Sequence, residues 1–342
     1  MWRKRRLARV RWAAAAAIVV AMTAALAGCG GPSGPTLTLY NAQHQELAQA
    51  WVDGFTEETG IKVEVRRGRD FELANQILAE GDRSPADVFI TENSPALSML
   101  SAQHRLAQLD PPTRAQVPAQ FSSGSGDWVG IAARSTVLVY NPSLVSQDQL
   151  PGSIMELAGP EWRDRVGIAP GGADFQAIAS AVFAVEGDDA AGQWLEGLKA
   201  NAKIYASNVA IMKAVNAGEV PAGVIYHYYW YKDRAEAGQD SANTELWFFD
   251  PLDAGSFVSV SGAAVLGSTT HAAEAQQLVA YMSGVEGQRI LAETDALEYP
   301  VGDGVAPNPT LKPFSELSPP PVDLNTLNGP KVIAELQRVG LL

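Results

Sequence analysis

The 342 residues are 46% hydrophobic and 18% charged, an ordinary globular balance that excludes a disordered or collagen-like chain and leaves room for about two domains. Acidic residues outnumber basic ones 38 to 25, so no nucleic-acid partner is expected. A single cysteine excludes an intramolecular disulfide and a thiolate metal cluster.

The first element is an export signal. Arg3, Lys4, Arg5, Arg6, Arg9 and Arg11 precede the apolar stretch Trp12 to Leu26, which ends in Leu26-Ala27-Gly28-Cys29. A positive segment, a short apolar one and small residues read as a signal peptide over residues 1–28. The alternative is an uncleaved membrane anchor, for which the apolar stretch is short. The Leu-Ala-Gly-Cys box resembles the bacterial lipoprotein processing site, which implies that Cys29 is the lipidated first residue of the mature chain. Arg5-Arg6 leaves a twin-arginine route open. The signal holds six of the 25 basic residues and none of the 38 acidic ones, so the mature chain carries 19 against 38, a net charge of −19. Residues 29–35, rich in Gly and Pro, read as a lipid tether.

From Thr36 strand and helix signals alternate. Leu37, Leu39 and Tyr40 open a strand. Leu47, Trp51 and Phe55, flanked by Ala48 and Val52, then repeat at helical spacing until Gly60. Ile61, Val63 and Val65 alternate as a second strand, residues 71–80 form a short helix, and Ala86 to Ile90 form a buried strand. This β-α-β-α-β series makes a largely parallel sheet.

Past the Gly- and Ser-rich stretch Ser122 to Gly126, a long strand is expected from Trp128 to Tyr140, then a helix near 153–158 and a strand at Val166 to Ala169. Helices follow at 174–186, 189–200 and 208–217, then the strand Ala222 to Tyr226. Ser256 to Leu266 is again strand-like, with helices at 271–282, 285–294 and 329–339, the last preceded by the extended Pro319-Pro320-Pro321. The expectation is a two-lobed α/β fold, its lobes joined by the strands at 128–140 and 256–266, with a ligand cleft between them. Lobe 1 would span 36–133 and return over 258–309, lobe 2 would span 134–257, and 310–342 would pack on lobe 2.

No G-x-S-x-G elbow, P-loop, H-E-x-x-H or G-x-G-x-x-G occurs, and His44, His104, His227 and His271 show no ligand-type spacing, which lowers the enzyme class. Three strand ends carry chemistry. His44 follows the first strand, Glu92 follows the strand ending at Ile90, and the aromatic run Tyr226-His227-Tyr228-Tyr229-Trp230-Tyr231 follows Tyr226. Each has a bland reading: a first-turn surface histidine, a helix-capping glutamate and a buried aromatic helix start. Consecutive tyrosines point ~100° apart on a helix, whereas at a strand end above a cleft two phenols can converge.

Tyr40-Asn41-Ala42-Gln43-His44, Ser84-Pro85-Ala86-Asp87-Val88-Phe89 with Glu92, Tyr228-Tyr229-Trp230, Ser261-Gly262-Ala263-Ala264-Val265-Leu266, Glu286-Gly287-Gln288-Arg289 and Glu298-Tyr299-Pro300 closely resemble the ferric-ion-binding proteins of bacterial iron ABC importers, in order and over almost the whole mature chain. The resemblance implies a two-lobed "Venus flytrap" solute-binding protein, not an enzyme. It would act as a monomer in the periplasm or lipid-anchored on the outer face of the cytoplasmic membrane, and would deliver its cargo to an ABC importer permease. It implies one ferric ion held by His44 and Glu92 from lobe 1 and by Tyr228 and Tyr229 from lobe 2. The chemistry agrees, because a hard trivalent ion prefers anionic oxygen donors, and one carboxylate and two phenolates neutralise its charge.

In the family a synergistic anion completes the coordination, and here the chain departs from the pattern. Asn208 matches a family anion contact at a helix N-terminus. Gly172-Ala173-Asp174 stands where the family has Ser-Gly-Ala, Tyr226 where it has Asn, and Asn93 where it has Gln. Asn93, Gly172, Ala173, Asp174, Asn208 and Tyr226 thus form the expected anion set, and the anion would be carbonate, phosphate or an organic acid. Asp174 would repel phosphate and could ligate iron itself, or it could turn outward and cap its helix. Arg67 and Arg69 could compensate, or be solvated surface residues. Two other functions stay open: a flytrap for a polyamine, thiamine derivative or metal chelate with the aromatics stacking on it, and an exported hydrolase using Glu92 and Asp174.

Overall fold

A computed structural model describes residues 34–342; the signal peptide expected over residues 1–28 and the expected lipidation site Cys29 lie outside the described residues. The alternating apolar pattern after Thr36 forms β1 (Thr36–Asn41), β2 (Lys62–Arg67) and β3 (Val88–Ile90), with β1 pairing in parallel to both others. Between them, α1 (Gln45–Thr59) buries Leu47, Ala48, Trp51, Val52 and Phe55, and Gly60 ends it with φ 73° in the left-handed region, its N–H bonded to the Thr56 carbonyl. Next comes α2 (Asp70–Glu80), and a further short helix, α3 (Pro95–Ala102), follows β3.

The long strand β4 (Val129–Tyr140) is buried along its whole length. Two other groups of strands meet on it. Its residues 129–135 pair antiparallel with β9 (Val258–Val265), which pairs in turn with β3. Its residues 136–140 pair with β7 (Ala222–Tyr226) on one edge, and 138–140 with β8 (Glu245–Trp247) on the other. Beyond β7 lie β5 (Val166–Ile168) and β6 (Lys203–Ile204), both parallel. The order is therefore β2-β1-β3-β9-β4-β7-β5-β6, with a register shift between Gly130 and Ala132. Helices α4 (Ala173–Glu186), α5 (Asp188–Asn201), α6 (Asn208–Asn216) and α7 (His227–Glu236) accompany the second group of strands. After β9 come α8 (Ala272–Ser283) and α9 (Val285–Glu293), and the last helix, α10 (Gly329–Val339), packs on α3, α4 and α5.

The differences from expectation lie where periodicity is weak. The helix near 153–158 is a 3-10 helix, Ile154–Ala158, and the strand after Ala86 starts at Val88. The sequence pattern did not mark α3, whose run Pro-Ala-Leu-Ser-Met-Leu-Ser-Ala buries five of its eight residues and has no charged residue to mark a polar face. For α7 the sequence offered a helix only as the bland reading of the aromatic run, and a helix start with Tyr226, His227 and Tyr228 buried is what forms.

Candidate metal centre

The centre is built from chain segments that leave strands at one end of the sheet. His44 is the N-cap of α1, just past β1. Its position follows from Gln43, whose backbone N–H donates to Asn41 Oδ1 and whose side chain spans to Ser261 Oγ at 2.9 Å. Glu92 leaves β3, where the Thr91 N–H makes the last ladder bond, to the Gly262 carbonyl. Tyr226 ends β7 in extended backbone and starts α7, so Tyr228 and Tyr229 occupy its first turn. They converge although they belong to a helix, contrary to the expectation that convergence needs a strand end. Their rings pack 4.1 Å apart, tilted by 31°.

These four side chains meet. His44 Nε2 lies 3.0 Å from Tyr228 Oη, which donates to Glu92 Oε1 at 3.2 Å, and His44 Nε2 lies 3.6 Å from the same carboxylate oxygen. Tyr229 Oη donates to Asp174 Oδ2 at 3.0 Å.

Asp174 does not turn outward. It is buried in the first turn of α4, and the amides of Asn93 and Asn208 both donate to its carboxylate, the first at 3.1 Å. The outward cap was the wrong alternative because two amides and a phenol compete for this carboxylate from within the cleft. Tyr226 Oη and Ser259 Oγ donate to Asn93 Oδ1 at 3.2 and 2.7 Å, which turns its NH₂ toward Asp174. Gly172 is the N-cap of α4 and Ala173 its first residue. With Asp174, Asn208, Glu92 and Arg69 they line a cavity of about 250 Å³. Arg67 is exposed and bonded to Gln45, so it offers the centre no compensating charge.

Burial pushes the Glu92 carboxyl up to about 7; Arg134 opposes this, and Asp70 and Glu298 add to it. Burial likewise pushes Asp174 and Asp70 up to about 7. It lifts the phenols of Tyr226, Tyr228 and Tyr229 well above their ordinary value, nearby acids adding to the effect, and it lowers the His44 imidazole. The set is thus oxygen-rich and loaded with protons, the form that a highly charged hard cation displaces.

Sequence reasoning assigned no role to Asp70, Arg134, Ser259 or Glu298. Arg134 is the one charged residue of β4, and a lone charge in so apolar a run was the available signal. Its partner Glu298 belongs to a quoted motif. The two form a fully buried ion pair, and Glu298 Oε1 lies 4.0 Å from His44 Nε2.

Residues 83–321 match the family model described as bacterial extracellular solute-binding protein. The chain belongs to that family. The Fe(3+)-binding periplasmic protein of Serratia marcescens is 49% identical over 306 residues, 90% of each chain. The major ferric iron-binding protein of Neisseria meningitidis serogroup B is 39% identical over 321 residues, 93% of this chain and 94% of that one. The structure of iron-bound HitA from Pseudomonas aeruginosa matches with a TM-score of 0.84 at 44% identity, over 89% of this chain and 99% of that one. The expected two-lobed α/β fold is the one adopted. A solute-binding protein is not an enzyme, so Glu92 and Asp174 as a hydrolytic couple are set aside.

Proposed function

We propose that this solute-binding protein captures ferric ion outside the cytoplasm and delivers it to an ABC importer permease, with His44, Glu92, Tyr228 and Tyr229 as ligands. The observation that carries the reading is the meeting of an imidazole, a carboxylate and a phenol within 3.0–3.6 Å, the second phenol packed on the first. Among the described residues no three His, Cys, Asp or Glu side chains are arranged to hold a metal, so the phenols complete the donor set. Hard trivalent iron is the cargo such oxygens suit. Iron displaces the phenol protons, so uptake releases protons and weakens in acid.

Asp174 takes the place of the synergistic anion. The amides of Asn93 and Asn208, both in the expected anion set, are spent on its carboxylate, and Asp174 is already bonded to Tyr229. A second anion here would share the cavity with three carboxyl groups, Asp70, Glu92 and Asp174, against one cation, Arg69, and would repel each acid that has lost its proton. Lobe limits at 133/134 and 257/258, monomeric action and lipid anchoring through Cys29 belong to the same reading. The stacking alternative is supported less well, since the two tyrosine rings face each other at 4.1 Å and Tyr228 is buried.

The test is titration of iron-free protein with ferric nitrilotriacetate, with and without phosphate. Saturation at one equivalent with a phenolate-to-iron absorption band is expected, and phosphate should alter it little until Asp174→Ser restores a hydroxyl and removes a charge. A colourless protein would remove the central claim. Strong phosphate dependence in the unmodified protein would remove the role given to Asp174.

A further inference from the structure

We propose that Asp70 is a positioning residue of the metal centre, holding Glu92 and Asn93 in register through their backbone amides. This rests on the reading of Glu92 as a ligand. Asp70 is the first residue of α2, 22 positions before Glu92, and is 3% exposed. A carboxylate there ordinarily serves the free amides of its own helix. Here both oxygens turn on another segment: Oδ1 accepts the Glu92 N–H at 2.8 Å and Oδ2 the Asn93 N–H at 2.9 Å.

These two amides follow the last ladder bond of β3, made by Thr91, and precede the amides of α3, so neither has a place in sheet or helix. Holding two successive N–H groups on one carboxylate fixes the rotation of the peptide between them. That rotation decides where the two side chains go. Glu92 is aimed at Tyr228, and Asn93 at Asp174. One buried acid thus sets both the carboxylate donor and the amide that holds Asp174, although it touches neither side chain.

A purely structural role would also explain a buried acid bonded to backbone, and the same molecule supplies the control. Asp87 is 4% exposed and accepts the Thr38 N–H at 2.8 Å, yet it aims no side chain of the centre. Asp70→Asn and Asp87→Asn are each compared with the unmodified mature chain by citrate competition for ferric ion, by the charge-transfer maximum and by the electron paramagnetic resonance of the bound high-spin ion. Asp70→Asn turns one acceptor into a donor facing an N–H. It should lose about 10–100-fold in affinity, as outer-shell partners of metal ligands do, with altered rhombicity and a shifted band. Asp87→Asn should melt earlier but keep the affinity within about threefold and leave both spectra unchanged.

Folded Asp70→Asn with unchanged spectra and affinity overturns the proposal, as do equal spectral changes in Asp87→Asn. Should Asp70→Asn fail to fold, Asp70→Glu keeps the carboxyl group and both of its oxygens but is longer by one methylene. It should fold and show a smaller change of the same kind, and failure of both variants to fold makes the clamp a requirement of the fold and overturns a role specific to the centre. No iron uptake by the unmodified chain would instead defeat the reading of the site itself.

Discussion

Glu298→Met removes the counter-charge of Arg134 while nearly preserving volume. Both side chains are inaccessible to solvent, and Arg134 Nη2 meets Glu298 Oε2 at 2.5 Å. The other guanidinium nitrogens, Nε and Nη1, find no partner among the described residues. The rings of Tyr226 and Tyr228 lie 6.0 and 5.7 Å away, and Glu92 and Asp174 add smaller attractions than Glu298 does. Glu298 is therefore the main compensation for burying this cation. Charges about 4 Å apart at an effective dielectric constant near 20 attract by about 4 kcal/mol, and loss of one partner of a buried pair costs about 3–5 kcal/mol. With an unfolding entropy of about 2.1 cal/mol/K per residue over roughly 300 residues, each kcal/mol moves the melting point by about 1.6 °C, so a fall of about 5–8 °C is expected. Calorimetry of iron-free protein measures it. Arg134→Met added to Glu298→Met should recover most of the loss, because an apolar pair leaves no stranded charge. A single variant that melts within about 1.5 °C of the unmodified protein, or a double variant less stable than the single, would refute the reasoning.

Tyr228→Phe or Tyr229→Phe should weaken ferric binding beyond the 10–100-fold typical of outer-shell changes, and more than His44→Ala, since water can replace a neutral nitrogen but not a phenolate charge; chelator competition ranking His44→Ala worst would contradict this. Asp70, Glu92 and Asp174 keep their protons to about pH 7 when folded and lose them near pH 4 when unfolded, so the stability they confer is complete below about pH 4 and is lost as pH rises through 7. Iron-free protein should therefore melt lower at pH 8 than at pH 5.5, and iron-loaded protein the reverse; parallel pH trends in thermal scans would count against the buried acid cluster. Trp51 is fully buried and donates to the Gly287 carbonyl at 2.7 Å, so Trp51→Ala should cost about 3–5 kcal/mol by denaturant unfolding.

What could be read from the sequence follows from how local the cause is. The strands and helix around Leu37, Trp51 and Val63 carry their pattern in neighbouring residues, and they stand where expected. His44, Glu92, Tyr228 and Tyr229 could be singled out because strand ends are local features, but only the family resemblance made them a ligand set. Asp70 could not, since its partners lie 22 and 23 positions away and are backbone groups, for which side-chain identity gives no signal. Glu298 meets Arg134 across 164 positions. The direction of Asp174 was open for a related reason: its helix N-terminus offers a nearby cap, and the competing amides come from 81 and 34 positions away.

The place of β9 between β3 and β4 has a consequence for how the chain acquires its structure. Residue 88 finds its partner at residue 265, and residue 129 at residue 263. A polypeptide emerging amino end first can assemble β1, β2 and β3, yet β3 keeps an unpaired edge until Val258–Val265 arrive, after all of the second group of strands has emerged. Contacts so distant in sequence close slowly, and an open apolar edge invites pairing with another chain. The interval between emergence of β3 and arrival of β9 is thus the stage at which newly made chains are most exposed to aggregation, and at which a holding chaperone would have most effect.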